Sequence, residues 1–122
     1  MQILRTWGRR SEFGYSGCVA TGTEIHYGKD SHRLISREQY AALLAHFQGQ
    51  VVDIGASRGH PPAGSLGAWL KQNVTRSAIA TYVGPILLHE DYAERGVERS
   101  QIVFKPGRVL TEEERLFEAI DP

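Results

Sequence analysis

The chain has 122 residues, of which 41% are apolar and 23% are charged, and its formal net charge is zero. This length fits a single domain, residues 1–122, and this composition excludes long disorder. No stretch approaches the roughly 18 apolar residues of a membrane span, and no run at the N-terminus is typical of a signal peptide. We therefore expect a soluble, cytoplasmic protein that contacts no membrane.

The first third of the chain predicts short strands. Residues 2–7 and 13–21 carry aromatic and β-branched side chains interrupted by glycines. Residues 24–27 and 32–35, joined by the turn 28–31, predict a hairpin.

A helix follows the hairpin. Ser36 and Gln39 form a capping-box pattern, which marks the start of a helix that ends near Gly49. Apolar residues then recur at i, i+3, i+4 and i+7, namely Tyr40, Leu43, Leu44 and Phe47. Residues 50–54 predict a buried strand, and residues 55–64 an exposed loop.

The next segment predicts two helices joined by a tight turn. Ser65 and Thr75 are the expected N-caps. Only about one residue would separate the two helices, so they would cross steeply, which is helix-turn-helix geometry. The polar face of the second helix would present Arg76, Ser77, Ala80 and Thr81.

The charge distribution points to nucleic acid. Residues 54–89 contain no Asp or Glu, and residues 1–83 carry a net +4 against −4 for the remainder. A surface without carboxylates suits a phosphate backbone.

Residues 65–105, above all the run Val74-Thr75-Arg76-Ser77-Ala78-Ile79, resemble the winged helix-turn-helix family of DNA-binding domains. In that family a helix, a turn with Ser or Thr and a basic residue, a recognition helix and a strand pair follow one another. The resemblance implies a partner, double-stranded DNA, and no cofactor. It places Arg76, Ser77, Ala80 and Thr81 against bases, and Lys71, Gln72 and Lys105 near phosphates.

One departure from that family concerns the second helix. Pro85 follows Gly84 where a recognition helix would continue, and a proline in a helix interior costs roughly 3 kcal/mol. We therefore expect the helix to end or kink there, with Pro85 at the first position of another helix.

Enzymatic alternatives are weaker. Residues 51–59 resemble the glycine-rich loop of methyltransferases that use S-adenosylmethionine, but too few residues follow for a doubly wound domain. A small catalytic site built from Glu24, Asp30 and Asp53 is a further alternative.

The five histidines do not predict a metal site. Only His26 and His32, on the predicted hairpin, have a spacing that could bring two ligands together, so we expect no metal. The other histidines are His46, His60 and His89.

The remaining alternative is a non-enzymatic interaction module that forms a homodimer. The dense apolar run 82–88 and a final helix capped by Thr111 and Glu114 are its sequence features. The sequence as a whole predicts an α+β fold with a small mixed sheet, three to five helices and a helix-turn-helix core. The favoured function is that of a small DNA-binding or regulatory protein rather than an enzyme.

Overall fold

The computed structural model describes residues 1–57 and 59–110. Three helices and two antiparallel sheets form in this part of the chain, which confirms the α+β class. The strands and helices are β1 (Gln2–Arg5), β2 (Glu12–Cys18), β3 (Gly22–Tyr27), β4 (Ser31–Ser36), α1 (Arg37–Phe47), β5 (Val51–Asp53), α2 (Leu66–Asn73), α3 (Ala80–His89), β6 (Ala93–Arg95) and β7 (Gln101–Phe104).

The first sheet is a four-stranded meander in the order β1-β2-β3-β4. The predicted hairpin is confirmed as β3 and β4, with Gly28 at a φ of 60° in the turn. One face packs into the core and the other faces outward, because side chains alternate along each strand. The core face carries Phe13, Tyr15, Ile25 and Ile35, all at most 3% exposed.

Helix α1 confirms its predicted start and its apolar face. The Ser36 side chain accepts a hydrogen bond from the backbone N–H of Gln39, and the Gln39 side chain accepts one from the N–H of Ser36. The helix ends at Phe47, two residues before Gly49, whose φ of 73° suits a glycine. Its buried residues are those predicted: Tyr40, Leu43, Leu44 and Phe47.

The second sheet has the order β5-β7-β6, and helix α2 begins beside it. The predicted strand at 50–54 is confirmed in shorter form as β5, although Val51 is exposed rather than buried. Ser65 is the predicted N-cap of α2, and its hydroxyl accepts from the N–H of Ala68 at 3.1 Å.

The predicted tight turn between α2 and α3 is wrong. Six residues, 74–79, separate the two helices, and the N-cap of α3 is Ile79 rather than Thr75. The Thr75 hydroxyl accepts from the N–H of Ser77 at 3.4 Å, a local turn that competes with helix formation. Arg76 and Ser77 therefore lie in a linker and not on a recognition helix.

The expected end of the helix at Pro85, with a new helix beginning there, is wrong, because α3 continues through Pro85 to His89. Proline has no N–H to donate to the carbonyl four residues earlier, which here belongs to Thr81. The backbone N–H of Trp7 donates to that carbonyl instead, at 2.9 Å. A bond from the β1–β2 turn thus satisfies the acceptor that the proline leaves open.

Helix α3 lies under the first sheet. Six of its ten residues are buried, and only His89 is exposed. The Tyr82 ring stacks on Tyr27 at 4.6 Å between ring centroids and meets Phe13 edge-on at 5.1 Å. The apolar run 82–88, expected to serve a homodimer, packs instead against the chain's own core.

The predicted final helix with Thr111 and Glu114 lies outside the described residues. Among residues 1–57 and 59–110, no helix has both the length and the apolar character that a bilayer crossing requires.

Replacing Gly84 with Ala tests the packing of α3 against Trp7. A Cβ at Gly84 would come within 2.7 Å of both the Trp7 ring and the Ile54 side chain. Overpacking costs about 1–3 kcal/mol, against about 1 kcal/mol gained from the better helix propensity of Ala. We expect the free energy of unfolding, measured by urea denaturation, to fall by up to about 2 kcal/mol, which is the overpacking cost less the gain in helix propensity.

Gly8→Ala is the matched control, because the nearest atom to a Cβ there is 4.0 Å away. It should leave stability unchanged within about 0.5 kcal/mol. A Gly84→Ala variant at least as stable as the wild type would contradict the described contact.

Candidate functional site

A cleft of about 900 Å³ lies where the two sheets meet the start of α3. Its walls are the β1–β2 turn, residues 6–11, and residues 95–99, which run from the last residue of β6 into the connection to β7. Ala56, Thr81 and Tyr82 complete the lining. We call it the arginine cleft, because four arginines line it: Arg9, Arg10, Arg95 and Arg99.

The arginine cleft is strongly cationic although the whole chain is neutral. Glu98 is the one acidic residue of the lining, so four arginines against one glutamate give a formal charge of +3. Within the described ranges the ion pairs are His26–Glu24 and Lys105–Asp91, and neither includes an arginine of the cleft. Positive charge in the cleft therefore exceeds negative charge by three, and no cleft arginine is ion-paired within the described residues, which favours binding of an anion.

Arg95 is held in place by Trp7. Its Nη2 donates to the Trp7 carbonyl at 2.9 Å, and its guanidinium carbon lies 4.2 Å from the centre of the Trp7 ring. Partial burial, followed by the positive charge of Arg9, lowers the pKa of the Arg95 guanidinium below its usual value. The group stays cationic at neutral pH, so a bound anion would relieve the electrostatic penalty of holding it there.

Trp7 makes a second contact with the wall formed by residues 95–99. Its indole Nε1 donates to the Arg99 carbonyl at 2.9 Å, and the side chain is only 6% exposed. With the bond to Thr81, the single residue Trp7 joins both walls to α3. The arginines extend from a rigid frame rather than from two independent loops.

Arg9 adopts a conformation that is unfavourable for its residue type. Its φ is 61°, in the left-handed region where glycine is normally found. The backbone thus carries an arginine where a glycine would be less strained. Such strain is frequent at binding sites, where side-chain chemistry outweighs local stability.

The arrangement suits anion binding better than catalysis. Guanidinium groups present planar, bidentate donors that match phosphate and carboxylate oxygens. The lining offers Thr6 and Ser11 hydroxyls but no histidine or cysteine that could act as a base or nucleophile. A second depression of about 470 Å³, beside β2–β4, has Glu24 as its one charged residue and is not suited to an anion.

The sequence-predicted site residues on α2 and in the linker do not form one surface with the arginine cleft. Lys71 lies in the last turn of α2, where its Nζ donates to the Gly59 carbonyl at 3.2 Å. Gln72 and Arg76 are exposed, on α2 and in the linker respectively. The Ser77 hydroxyl accepts from Arg33 Nη2 at 2.9 Å, which ties the linker to β4.

The other three predicted residues are dispersed. Ala80 is 1% exposed, so it cannot face a base in this conformation. Lys105 follows β7 and pairs with Asp91, whose pKa that hydrogen bond lowers. Only Thr81 lines the arginine cleft.

None of the four arginines of the cleft is among the site residues predicted from the sequence. Arg9 and Arg10 stand about 85 positions before Arg95 and Arg99, so no local pattern connects the two pairs. The available signal was weak: a doubled arginine after Trp7-Gly8, and Arg95 and Arg99 in a second glycine-containing connection. Only the pairing of both turns with Trp7 brings these charges together.

The alternative catalytic groups lie apart. Glu24 is on β3 and Asp30 in the turn after it, whereas Asp53 ends β5, where its carboxylate accepts from the N–H of Gly55 at 2.7 Å. The strand register does pair His26 with His32, at 6.2 Å between ring centroids. Among the described residues, no group of three potential ligands could hold a metal ion.

The loop that resembles a methyltransferase cofactor loop has a different setting. It follows β5, a three-residue edge strand of an antiparallel sheet, instead of a strand in a parallel doubly wound sheet. Gly55 has a φ of 63° and packs against Gly67 at the start of α2. Close helix packing therefore accounts for both glycines without a cofactor.

Comparison with known proteins gives no independent guide to this site. No protein-family model, curated protein or solved structure matches the chain.

Replacing Arg9 with Gly tests two things: whether the positive φ destabilises the fold, and whether the Arg9 charge contributes to anion binding. Glycine tolerates a φ of 61° without the steric penalty that Arg9 meets. We expect the free energy of unfolding in urea to rise by about 0.5–1 kcal/mol, while affinity for polyanions falls.

Arg10→Gly is the matched control, since it removes one cation from the same turn at a residue without a positive φ. It should weaken anion binding as well, but lower stability by roughly 0.5–1 kcal/mol through backbone entropy. An Arg9→Gly variant less stable than the wild type would show that the backbone there is not strained.

Proposed function

We propose that this protein is a small, non-enzymatic nucleic-acid-binding protein whose main contact surface is the arginine cleft. The observation that carries the proposal is the convergence of four arginines, without an ion-pair partner among the described residues, on one concave surface. Phosphate contacts supply most of the affinity of sequence-independent nucleic-acid binding. The cleft provides the cations for such contacts on a chain whose net charge is zero.

The side-chain chemistry also supports a phosphate partner. All cations of the cleft are arginines, whose fork of N–H donors binds phosphate oxygens in pairs. Thr6, Ser11 and Thr81 add hydroxyl groups of the kind that contact phosphates in protein–nucleic-acid complexes. Charge, donor geometry and short polar side chains point to the same class of ligand.

The order of elements supports a nucleic-acid role, but the proposed contact surface lies beside the predicted recognition helix and not on it. Helix α2, a linker with Thr75 and Arg76, helix α3 and the β6–β7 hairpin follow one another as the winged resemblance implies. Six of the ten residues of α3 are buried, among them Ala80, which was predicted to face a base and is 1% exposed. The turns beside α3, rather than α3 itself, offer the accessible cations.

The experiment is fluorescence anisotropy of labelled DNA and RNA oligonucleotides at about 50 and about 200 mM salt. The double variant Arg10→Gln/Arg99→Gln removes two exposed cations from the cleft. We expect binding about tenfold weaker at low salt, because two phosphate contacts are lost. The plot of log affinity against log salt should flatten by roughly 1.4–1.8, since each contact contributes about 0.7–0.9 to its slope.

The matched control is Lys29→Gln/Arg76→Gln, which makes the same charge change at exposed residues outside the cleft. It should leave affinity within about twofold of the wild type. A larger loss with this control would return the contact surface to the predicted recognition segment. Absence of binding to every oligonucleotide at low salt would overturn the proposed function.

A homodimer is a second proposal, and it rests on the outer face of the first sheet. Ile3 and Leu34 are 59% and 67% exposed there, on strands β1 and β4. Strand pairing puts Ile3 in a row with His26 and His32, and Leu34 in a row with Glu24 on the same face. Exposed apolar side chains on a sheet face suit contact with a second copy.

Sedimentation equilibrium tests this second proposal. The wild type should sediment at about twice its 13.6 kDa mass, and Leu34→Gln should shift it toward the monomer. Leu34→Gln should keep the fold, because the residue is exposed. A wild type that sediments as a monomer at about 100 μM would exclude the dimer as a functional state.

A further inference from the structure

We infer that the arginine cleft takes a single-stranded segment of nucleic acid, a few nucleotides long, rather than a duplex. The inference rests on the proposed nucleic-acid binding and specifies the form of the ligand. Three observations carry it: the concave shape of the site, the covering of α3, and the combination of arginines with an aromatic wall.

Shape is the first observation. A protein contacts duplex DNA by inserting a convex element, a helix or a two-stranded ribbon, into a groove. The arginines here line a concavity of about 900 Å³ between two turns. That volume is in the range of about 300–1,000 Å³ that encloses small ligands, so it fits a thin chain and not a double helix.

The covering of α3 is the second observation. Six of its ten residues are buried, and only His89, in its last turn, is exposed. The Thr81 carbonyl accepts the hydrogen bond from Trp7, so α3 cannot leave the first sheet without losing that bond. The helix that would enter a major groove is therefore enclosed by its own chain.

Helix α2 is not suited to enter a major groove in place of α3. It has eight residues, and Lys71 is its one basic residue. The Lys71 Nζ already donates to the Gly59 carbonyl. A single short helix with that one cation lacks the phosphate contacts that would hold it in a groove.

The lining chemistry is the third observation. Single-strand binding surfaces combine cations that follow the backbone with aromatic rings that face the bases. In the arginine cleft the cations lie on the two turns, and Tyr82, half-buried, belongs to the wall formed by α3. Trp7 lies behind Arg95 and fixes the direction of its guanidinium. Phosphates would thus meet the turns, while a base approaches the part of Tyr82 that lines the cleft rather than the ring face stacked on Tyr27.

The experiment compares labelled ligands of one sequence in three forms: single-stranded DNA, single-stranded RNA and a blunt duplex, each about 12 nucleotides long. We expect either single strand to bind at least about tenfold more tightly than the duplex. Unlabelled competitors from a mononucleotide to about eight nucleotides should gain potency up to about four and then level off. Arg10→Gln/Arg99→Gln should abolish the preference, and Lys29→Gln/Arg76→Gln should retain it.

The outcomes separate this inference from the proposed function. A duplex bound as tightly as the single strands, with the same dependence on Arg10 and Arg99, would overturn the inference and leave nucleic-acid binding intact. A mononucleotide as potent as four nucleotides would also overturn it, because the site would then take a small phosphate ligand. Failure of every oligonucleotide to bind would overturn both. A difference between the DNA and RNA strands, each above the duplex, would support the inference and identify the preferred sugar.

Discussion

The structure depends on one residue, Trp7, which joins three parts of the chain. Its backbone N–H occupies the Thr81 carbonyl, its indole donates to the Arg99 carbonyl, and its own carbonyl accepts from Arg95. Each of these hydrogen bonds satisfies a polar group at a junction of the first sheet, α3 and the second sheet. The same residue that closes the core therefore sets the distance between the two turns that carry the arginines.

This constraint explains why a proline is tolerated inside α3. Pro85 leaves the Thr81 carbonyl without its intrahelical donor, and an unsatisfied buried carbonyl costs about 1–3 kcal/mol. Trp7 removes that penalty and in doing so fastens the first sheet over the helix. The same bond ties α3 to the β1–β2 turn, which carries Arg9 and Arg10.

The sequence predicts the local features of this fold and misses the long-range ones. The β3–β4 hairpin and the capping box at Ser36 depend on neighbouring residues, so their patterns were sufficient. The continuation of α3 through Pro85 depends on a donor 78 positions away, which no local pattern contains. Thr75 has the composition of an N-cap, but its hydroxyl closes a turn with Ser77 instead.

The candidate site, like the fold, depends on contacts between distant residues that no local sequence pattern predicts. The acid-free residues 54–89 drew attention to Lys71 and Arg76, yet of that segment only Ala56, Thr81 and Tyr82 line the arginine cleft.

The most direct measurement is a nuclear magnetic resonance titration that follows the indole N–H signals of Trp7 and Trp69, the two tryptophans of the chain. Trp7 lies beneath the cleft, whereas Trp69 packs on α2 against His46 and Phe47. We predict that a short single strand shifts the Trp7 signal together with the arginine Nε–H signals and leaves Trp69 in place. A shift confined to Trp69, or no shift of either signal at saturating oligonucleotide, would contradict this account.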